Sequence, residues 1–303
     1  MSSVQTKNLM KKTIFAVSAV ALCAAMPAQA ELAYALTSID QIISFDTATP
    51  GNLLTAFSIT GLQPSETLLA IDARPANGVL YGLGNSSRLY TINPNTGAAT
   101  AVGGQFSTIL NGTTFGFDFN PVVDRVRVVS DLDQNLRINP IDGSVTAVDG
   151  TLNYASGDSF FGQSPNINGA AYANNVPGAL STTLYVVDSL QNSLAIQTVP
   201  NSGTLNTVGP LGIDGSRFNG FDISGLTGIG YAATPASSGG LAADLYRINL
   251  TTGAATLVGH IGPADADILV RGFSLAAVPE PGTGTLALVG GLGLLMMRWR
   301  RRS

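Results

Sequence analysis

The chain has 303 residues, enough for one large all-β domain or two ordinary ones. Between residues 31 and 278, eight arginines and no lysine stand against eighteen acidic residues, a formal balance of −10 that would repel a phosphate backbone and argues against nucleic acid as a partner. With 35 glycines and only 11% charged residues, the composition favours a β-rich fold with many tight turns over a helical one.

The first thirty residues have the pattern of a secretory signal. Lysines at positions 7, 11 and 12 precede an apolar run over residues 14–25, and Ala28-Gln29-Ala30 follows. Signal peptidase accepts small side chains at the first and third positions of such a triplet. We therefore predict a signal peptide over residues 1–30, cleavage after Ala30, and export across the inner membrane.

A strand flanked by turns recurs five times in the central segment. Asn-Gly, Asp-Gly and Thr-Gly turns separate short stretches of period-two alternation, which is typical of antiparallel hairpins. Successive copies are 47, 46, 58 and 52 residues apart, measured between Phe45, Ile92, Ile138, Ile196 and Ile248. Because this spacing suits one four-stranded propeller blade, we predict an all-β, five-bladed β-propeller of four-stranded antiparallel blades over residues 31–277.

A further strand opens each repeat, at 69–72, 115–118, 168–171, 219–222 and 271–274. All of these strands except the one at 69–72 carry glycine at the second position. Glycine suits the crowded centre of a propeller, where neighbouring backbones approach closely. The first repeat, at residues 33–36, lacks an opening strand, whereas the last one, at 271–275, has nothing after it. We predict that this C-terminal strand completes the first blade and closes the ring.

Three segments of the repeat resemble a known family: Phe115-Gly116-Phe117-Asp118-Phe119-Asn120-Pro121, Val126-Arg127-Val128-Val129-Ser130 and Leu136-Arg137-Ile138-Asn139-Pro140. The family is domain of unknown function 4394, which consists of exported bacterial propeller-like proteins. The resemblance covers about residues 33–276. It implies the propeller fold and export, and it supplies no activity.

The C-terminal segment, residues 278–303, has three parts in a fixed order. Pro279-Glu280-Pro281 precedes an apolar stretch at 286–297, and a cluster of arginines ends the chain, at Arg298, Arg300, Arg301 and Arg302. The apolar stretch is shorter than the roughly 20 residues of a full transmembrane span. The terminal arginines compensate for part of the missing length, because their side chains can snorkel to the lipid headgroups.

The order of these parts resembles the PEP-CTERM sorting signal of Gram-negative bacteria. The resemblance implies a short transmembrane helix that holds the protein in the inner membrane. It also implies cutting by an exosortase-type enzyme in organisms that make exopolysaccharide, followed by release to the cell surface or the medium. An ordinary C-terminal anchor is the alternative.

The opening strands place a carboxylate at the same position in three repeats, as Asp72, Asp118 and Asp222, while Ala171 and Ser274 occupy the other two. If these strands line a channel, the acids could converge on calcium or act as an acid and base pair on a sugar. We favour a structural role, in which each aspartate accepts hydrogen bonds from the turn that follows it. No other cofactor is expected.

Two further features are candidates for ligand binding. Residues 151–166 form the longest insertion between strands and carry Tyr154, Phe160 and Phe161, whose rings could stack on sugars. The alternative is a loop that only covers a blade edge. Arg125, Arg127 and Arg137 cluster in the third repeat, where ion pairs to acidic residues are the expected role.

Together these patterns predict an exported, non-enzymatic protein of the cell surface or extracellular matrix, associated with exopolysaccharide or biofilm. The association with polysaccharide follows only from the resemblance of the tail. Two alternatives stay open: a glycan-active hydrolase or lyase that uses Asp72, Asp118 and Asp222, and a propeller that binds another protein through an apolar face.

Overall fold

The computed structural model describes residues 30–214, 220–235, 243–263, 265–266 and 268–278. These residues form five β-sheets built from antiparallel hairpins, each a blade of a propeller. The strands of the first three blades are β1 (Leu32–Thr37), β2 (Gln41–Asp46), β3 (Leu53–Ser58), β4 (Leu68–Ala73), β5 (Leu80–Gly84), β6 (Arg88–Ile92), β7 (Ala99–Val102), β8 (Phe115–Asn120), β9 (Arg125–Ser130), β10 (Asn135–Ile138) and β11 (Val145–Val148).

The remaining strands belong to blades four and five and to the closing strand: β12 (Asn153–Tyr154), β13 (Ile167–Tyr172), β14 (Leu184–Asp188), β15 (Ser193–Val199), β16 (Thr204–Pro210), β17 (Phe221–Ile223), β18 (Gly230–Pro235), β19 (Ala243–Ile248), β20 (Ala255–His260) and β21 (Val270–Leu275). The inner strands β4, β8, β13, β17 and β21 contact one another in sequence, and β21 contacts β4. The five blades therefore form a closed ring, as predicted.

The C-terminal strand closes this ring. Strand β21 pairs antiparallel with β1, with Phe273 opposite Ala35 and Leu275 opposite Ala33. The Phe273 ring also lies 6.3 Å from that of Phe45 in β2. The prediction that the C-terminal strand completes the first blade is confirmed.

The core lies between adjacent blades, because each sheet buries both of its faces near the axis. The buried apolar side chains form five clusters, each of which joins two neighbouring blades. In the cluster between blades two and three, the ring of Tyr81 packs edge-on against that of Phe119 at 5.0 Å. Aromatic contacts of this kind stabilise the packing of one blade on the next, a role that disulfides have in many small secreted domains.

Blade four departs from the predicted count of four strands. Its sheet has a fifth strand, β12, which runs parallel to the outer strand β16 and pairs Tyr154 with Leu205. The extra strand comes from the insertion at 151–166 and covers the first part of the outer edge, at Thr204 and Leu205. An edge strand with free backbone groups is prone to aggregation, so the cover protects it.

The targeting residues lie at or beyond the limits of the described chain. Ala30 is described and exposed. Ala28, Pro279, Glu280, Pro281, Arg298, Arg300, Arg301 and Arg302 lie outside the described residues. Within the described ranges no helix has the length and apolar character needed to cross a bilayer, and the predicted helix at 286–297 falls outside them. The signal peptide and the sorting tail stay predictions.

Candidate functional site

The inner strands pack so closely that the axis is almost filled. A Cβ atom at Gly220 would lie 2.4 Å from the backbone nitrogen of Phe273, and one at Gly116 would lie 2.7 Å from the Cβ of Ala170. The cavity that the inner strands enclose at this level has a volume of about 10 Å³, room for about one water molecule. The predicted reason for the repeated glycine, close approach of neighbouring backbones, is therefore correct.

Two residues beyond the glycine layer, three aspartates meet at the axis. Because alternate residues of a strand share a face, Gly116 and Asp118 both point inward. Oxygen atoms from Asp72, Asp118 and Asp222 lie within 4.8 Å of one another. The three residues are 1%, 0% and 1% exposed, so the cluster is closed to solvent.

Most oxygens of this cluster accept hydrogen bonds from the neighbouring blade. In each case, the donor is the amide that follows the equivalent position on the next inner strand. The bonds run from Phe119 N to Asp72 Oδ2 (2.9 Å), from Tyr172 N to Asp118 Oδ1 (3.2 Å), from Leu275 N to Asp222 Oδ2 (2.6 Å) and from Ala73 N to Ser274 Oγ (3.0 Å).

We call these four bonds the axial latches. The expected donors were the turns that follow the aspartates, but the axial latches join one blade to the next instead. Inner strands of adjacent blades do not share a ladder, so their inward amides need other acceptors. The latches supply those acceptors at the centre of the ring.

Blade four breaks the pattern because Ala171 has no acceptor to offer blade five. By the pattern of the other blades, the amide of Ile223 would donate to the side chain at position 171. It donates instead to Oδ1 of the preceding residue, Asp222, at 2.6 Å. Asp222 therefore accepts amide bonds with both carboxylate oxygens. One aspartate compensates for the missing latch.

Burial keeps the carboxyl groups protonated to higher pH than usual. Loss of water raises the pKa of Asp72 and Asp118 well above the ordinary value, and the charges of neighbouring aspartates raise both further. Burial likewise raises the pKa of Asp222 to about 7, although its two amide bonds oppose this. No arginine of the described residues forms an ion pair with the cluster. Asp222 is thus neutral below about pH 7, and the raised pKa values of Asp72 and Asp118 favour their neutral forms as well.

The same three carboxylates form a candidate metal site within the described part of the chain. Calcium takes six to eight oxygen ligands. Of the six carboxylate oxygens, four accept amide bonds and Asp72 Oδ1 accepts the hydroxyl of Ser274 at 3.1 Å. Asp118 Oδ2 is buried and has no hydrogen-bond partner among the described residues. Asp118 Oδ2 could bind an ion directly, but the other five carboxylate oxygens already accept hydrogen bonds.

Acid and base chemistry on a sugar would need the substrate to reach these carboxylates. All three aspartates are at most 1% exposed, so a sugar has no access to their carboxylates in this structure. The single histidine does not join them, because His260 lies at the end of the outer strand β20 and bonds Asp244 at 3.1 Å. The arrangement therefore fits anchoring of blades better than catalysis.

The aromatic insertion exposes one ring of its three. Tyr154 is 2% exposed, and its hydroxyl donates to Asp188 Oδ2 at 2.6 Å. Burial and the Asp188 carboxylate raise the pKa of this tyrosine. Phe160 packs against Tyr154 with ring centroids 5.5 Å apart, whereas Phe161 is 62% exposed. Of the three rings, that of Phe161 is the most accessible to a ligand.

Among the described residues, the arginine cluster of blade three fits its expected role only in part. The sequence predicts ion pairs to acidic residues for Arg125, Arg127 and Arg137. Arg127 and Arg137 do pair with Asp149, at 2.6 and 2.8 Å. Arg125, however, donates only to backbone carbonyls, and all three line one cavity.

The fold and its buried axial cluster define the class of this protein as a five-bladed β-propeller joined by side-chain latches at its centre. The family profile described as domain of unknown function (DUF4394) matches residues 41–273. The chain belongs to that family. No curated protein matches the sequence.

Two solved structures are similar to this chain at low identity. The chain is 13% identical to a protein in "Crystal structure of Nidogen/Laminin Complex", with 82% of this chain and 98% of that chain covered and a TM-score of 0.48. It is 8% identical to the protein in "Structure of U3-55K", with coverages of 82% and 86% and a TM-score of 0.42. Neither likeness bears on function.

Proposed function

We propose that this protein is an exported, non-enzymatic propeller of the bacterial cell surface or extracellular matrix that associates with exopolysaccharide. The observation that carries the non-enzymatic part is the burial of Asp72, Asp118 and Asp222, each at most 1% exposed and bonded to the next blade. Carboxylates used in this way hold the ring together. Binding then falls to the two faces of the propeller.

Export and sorting are supported by the two ends of the sequence. The Ala28-Gln29-Ala30 triplet favours cleavage before Glu31, and the tail carries the Pro-Glu-Pro motif, apolar stretch and arginine cluster in the order of a PEP-CTERM signal. An exosortase-type enzyme would cut the tail after transient anchoring in the inner membrane. The propeller would then reach the surface or the matrix.

The alternative of a protein-binding module would need one large apolar patch on a single face. Among the described residues, exposed apolar side chains occur on both faces: Leu180 and Leu190, 97% and 65% exposed, lie in the loops at opposite ends of strand β14. Val122, Val123 and Leu226 are also exposed and lie on the same face as Leu180. The protein-binding module is therefore a second candidate function.

Fractionation of the native bacterium tests the proposal. We expect the protein in the surface and extracellular fractions, beginning at Glu31, with less retained on cells that lack exopolysaccharide. Deletion of residues 298–302 should mislocalise it, because the arginines hold the short apolar segment in register. Recovery in the cytoplasm, or equal retention with and without polysaccharide, would refute it.

A further inference from the structure

A cavity of about 290 Å³ lies between blades three and four and is lined by Arg125, Arg127 and Arg137. We call it the arginine cleft. It opens on the propeller face at which the inner strands end, since the β8–β9 loop and the turn at Pro200–Ser202 border it. Three of the eight arginines in the acidic segment 31–278 therefore converge at one place.

The strand pattern explains why these side chains meet. Arg125 and Arg127 are two residues apart on β9, so they project from the same face of the sheet. Arg137 of β10 lies directly opposite Arg127 in the antiparallel register and shares that face. The face is the one that packs against blade four, because Arg127 reaches the hydroxyl of Tyr172 on β13 at 3.4 Å.

The charges in the arginine cleft do not balance. Arg127 and Arg137 share a single carboxylate, Asp149, at 2.6 and 2.8 Å. Arg125 donates only to the backbone carbonyls of Val123 and Asp124, and the Asp124 carboxylate pairs with Arg74. Three guanidinium groups against one carboxylate leave a formal charge of +2 in a segment that carries −10.

One of the three arginine side chains is buried and held in place, and the other two are partly exposed. Arg127 is 2% exposed and donates to Asn135 and Asn201, at 2.6 and 2.9 Å, besides Asp149. The side chain of Arg137 is 33% exposed, and Arg125 is also only partly buried. Two amide oxygens and one carboxylate thus fix the position of the Arg127 guanidinium at the inner end of the arginine cleft.

A second cavity, of about 520 Å³, continues from the arginine cleft and shares Asn120, Val123, Tyr172 and Pro200 with it. Hydroxyl-bearing residues line it at 181–183 and at Thr198. Gln197 also lines it and is 1% exposed, and its buried Oε1 has no hydrogen-bond partner among the described residues. Val122, Leu184 and Ile196 line it as well, so the cavity combines hydroxyl groups with apolar side chains. The unpartnered buried carbonyl of Gln197 beside it points to a donor that a ligand would bring.

We propose that the arginine cleft binds the carboxylate of an acidic saccharide, and that the adjoining cavity receives the hydroxyl groups of the neighbouring sugar. Arginine forks match carboxylates with two parallel hydrogen bonds, and the two volumes suit an oligosaccharide end. The choice of a saccharide rests on the proposed association with exopolysaccharide. The positive charge of the site does not depend on it.

Calorimetric titration of the purified full-length chain in detergent tests the site with three probes: the tetramer of galacturonic acid, the neutral tetramer of galactose, and citrate. We expect the acidic tetramer to bind at least tenfold more tightly than either of the others, and its affinity to fall with added salt. Arg125→Gln should weaken binding of the acidic tetramer tenfold or more, and Arg125→Lys less. Arg88→Gln, which removes the same charge on blade two, should leave it unchanged.

Melting temperatures of the variants separate a loss of binding from a loss of folding, since Arg125 bonds only two carbonyls. Equal affinity for the acidic and neutral tetramers, or for citrate and the acidic tetramer, would overturn the proposal. So would equal binding by Arg125→Gln and the unchanged chain, or no binding at millimolar concentration. These titrations do not depend on where the protein resides, so their failure is distinct from failure of the fractionation experiment.

Discussion

The hydroxyl oxygen of Ser274 lies 3.0 Å from the amide nitrogen of Ala73, and this bond ties the closing strand to the inner strand of blade two. The same hydroxyl donates towards Asp72 Oδ1 at 3.1 Å. Serine thus takes the place that aspartate holds in three other blades. This latch joins the C-terminal strand, which completes blade one, to blade two, across 201 residues of sequence.

Ser274→Ala should destabilise the propeller by about 1–3 kcal/mol, because it leaves the buried amide of Ala73 without its acceptor. Urea unfolding of the full-length chain measures the change. Ser156→Ala is the matched control, since Ser156 is exposed, and it should have almost no effect. A Ser274→Ala protein as stable as the control would show that the axial latches contribute nothing.

Phe273→Ala should cost about 3–5 kcal/mol, the usual range for a buried phenylalanine. Phe273 is 2% exposed and packs near Phe45 in the blade that it closes. Phe161→Ala should be nearly neutral, because Phe161 is 62% exposed. Thermal unfolding compares the two variants.

A chain that ends at Ala266 lacks the closing strand and should aggregate, while one that ends at Val278 keeps the strand and should melt like the full chain. Equal melting of these two chains would contradict closure by β21.

Several parts of this structure follow from the sequence because repetition reveals them. The spacing between Phe45 and Ile248 predicts five blades, and the surplus strand at 271–275 predicts closure. The recurring position of Asp118 and its equivalents predicts that they could converge. Repeats report which residues are equivalent, and equivalent residues of a ring lie at the same distance from its axis.

Other parts do not follow, because they depend on contacts between blades. Nothing along one strand shows that the partner of Asp118 is the amide of Tyr172, 54 residues away. The two-residue strand β12 is too short to show a period. The arginines of β9 and β10 were visible as a cluster, but only packing against blade four shows that Arg125 lacks a carboxylate and that a cavity lies beside it.

Stability should fall as the pH rises from about 5 to 8. The folded-state pKa of Asp222 is raised to about 7, and those of Asp72 and Asp118 are raised as well. An acid whose pKa is higher in the folded than in the unfolded state contributes stability below the unfolded value, near 4, and loses it as the pH passes the folded value. We expect the melting temperature to drop by about 5 °C or more across this range.

Asp118→Asn should flatten this pH dependence, because it removes one titrating group from the cluster while its amide oxygen can still accept the bond from Tyr172. Asp142→Asn is the control: Asp142 lies at the surface, where bonds from Ser144 lower its pKa, so the slope should persist. Melting curves at pH 5, 6, 7 and 8 measure both. A slope that survives Asp118→Asn unchanged would place its origin outside the axis.

Calcium should have little effect on the melting temperature at pH 8, where the axial carboxylates are most ionised. Five of their six oxygens already accept hydrogen bonds, and the buried cluster offers few of the six to eight oxygen ligands that calcium takes. The test compares the melting temperature of the full-length chain in 5 mM calcium with that in a chelator. At this concentration, roughly 10³ times a micromolar Kd, a bound ion would stabilise the folded state by about 4 kcal/mol. A rise of several degrees with calcium that Asp118→Asn abolishes would show instead that Asp118 Oδ2 is a metal ligand and that the cluster holds an ion.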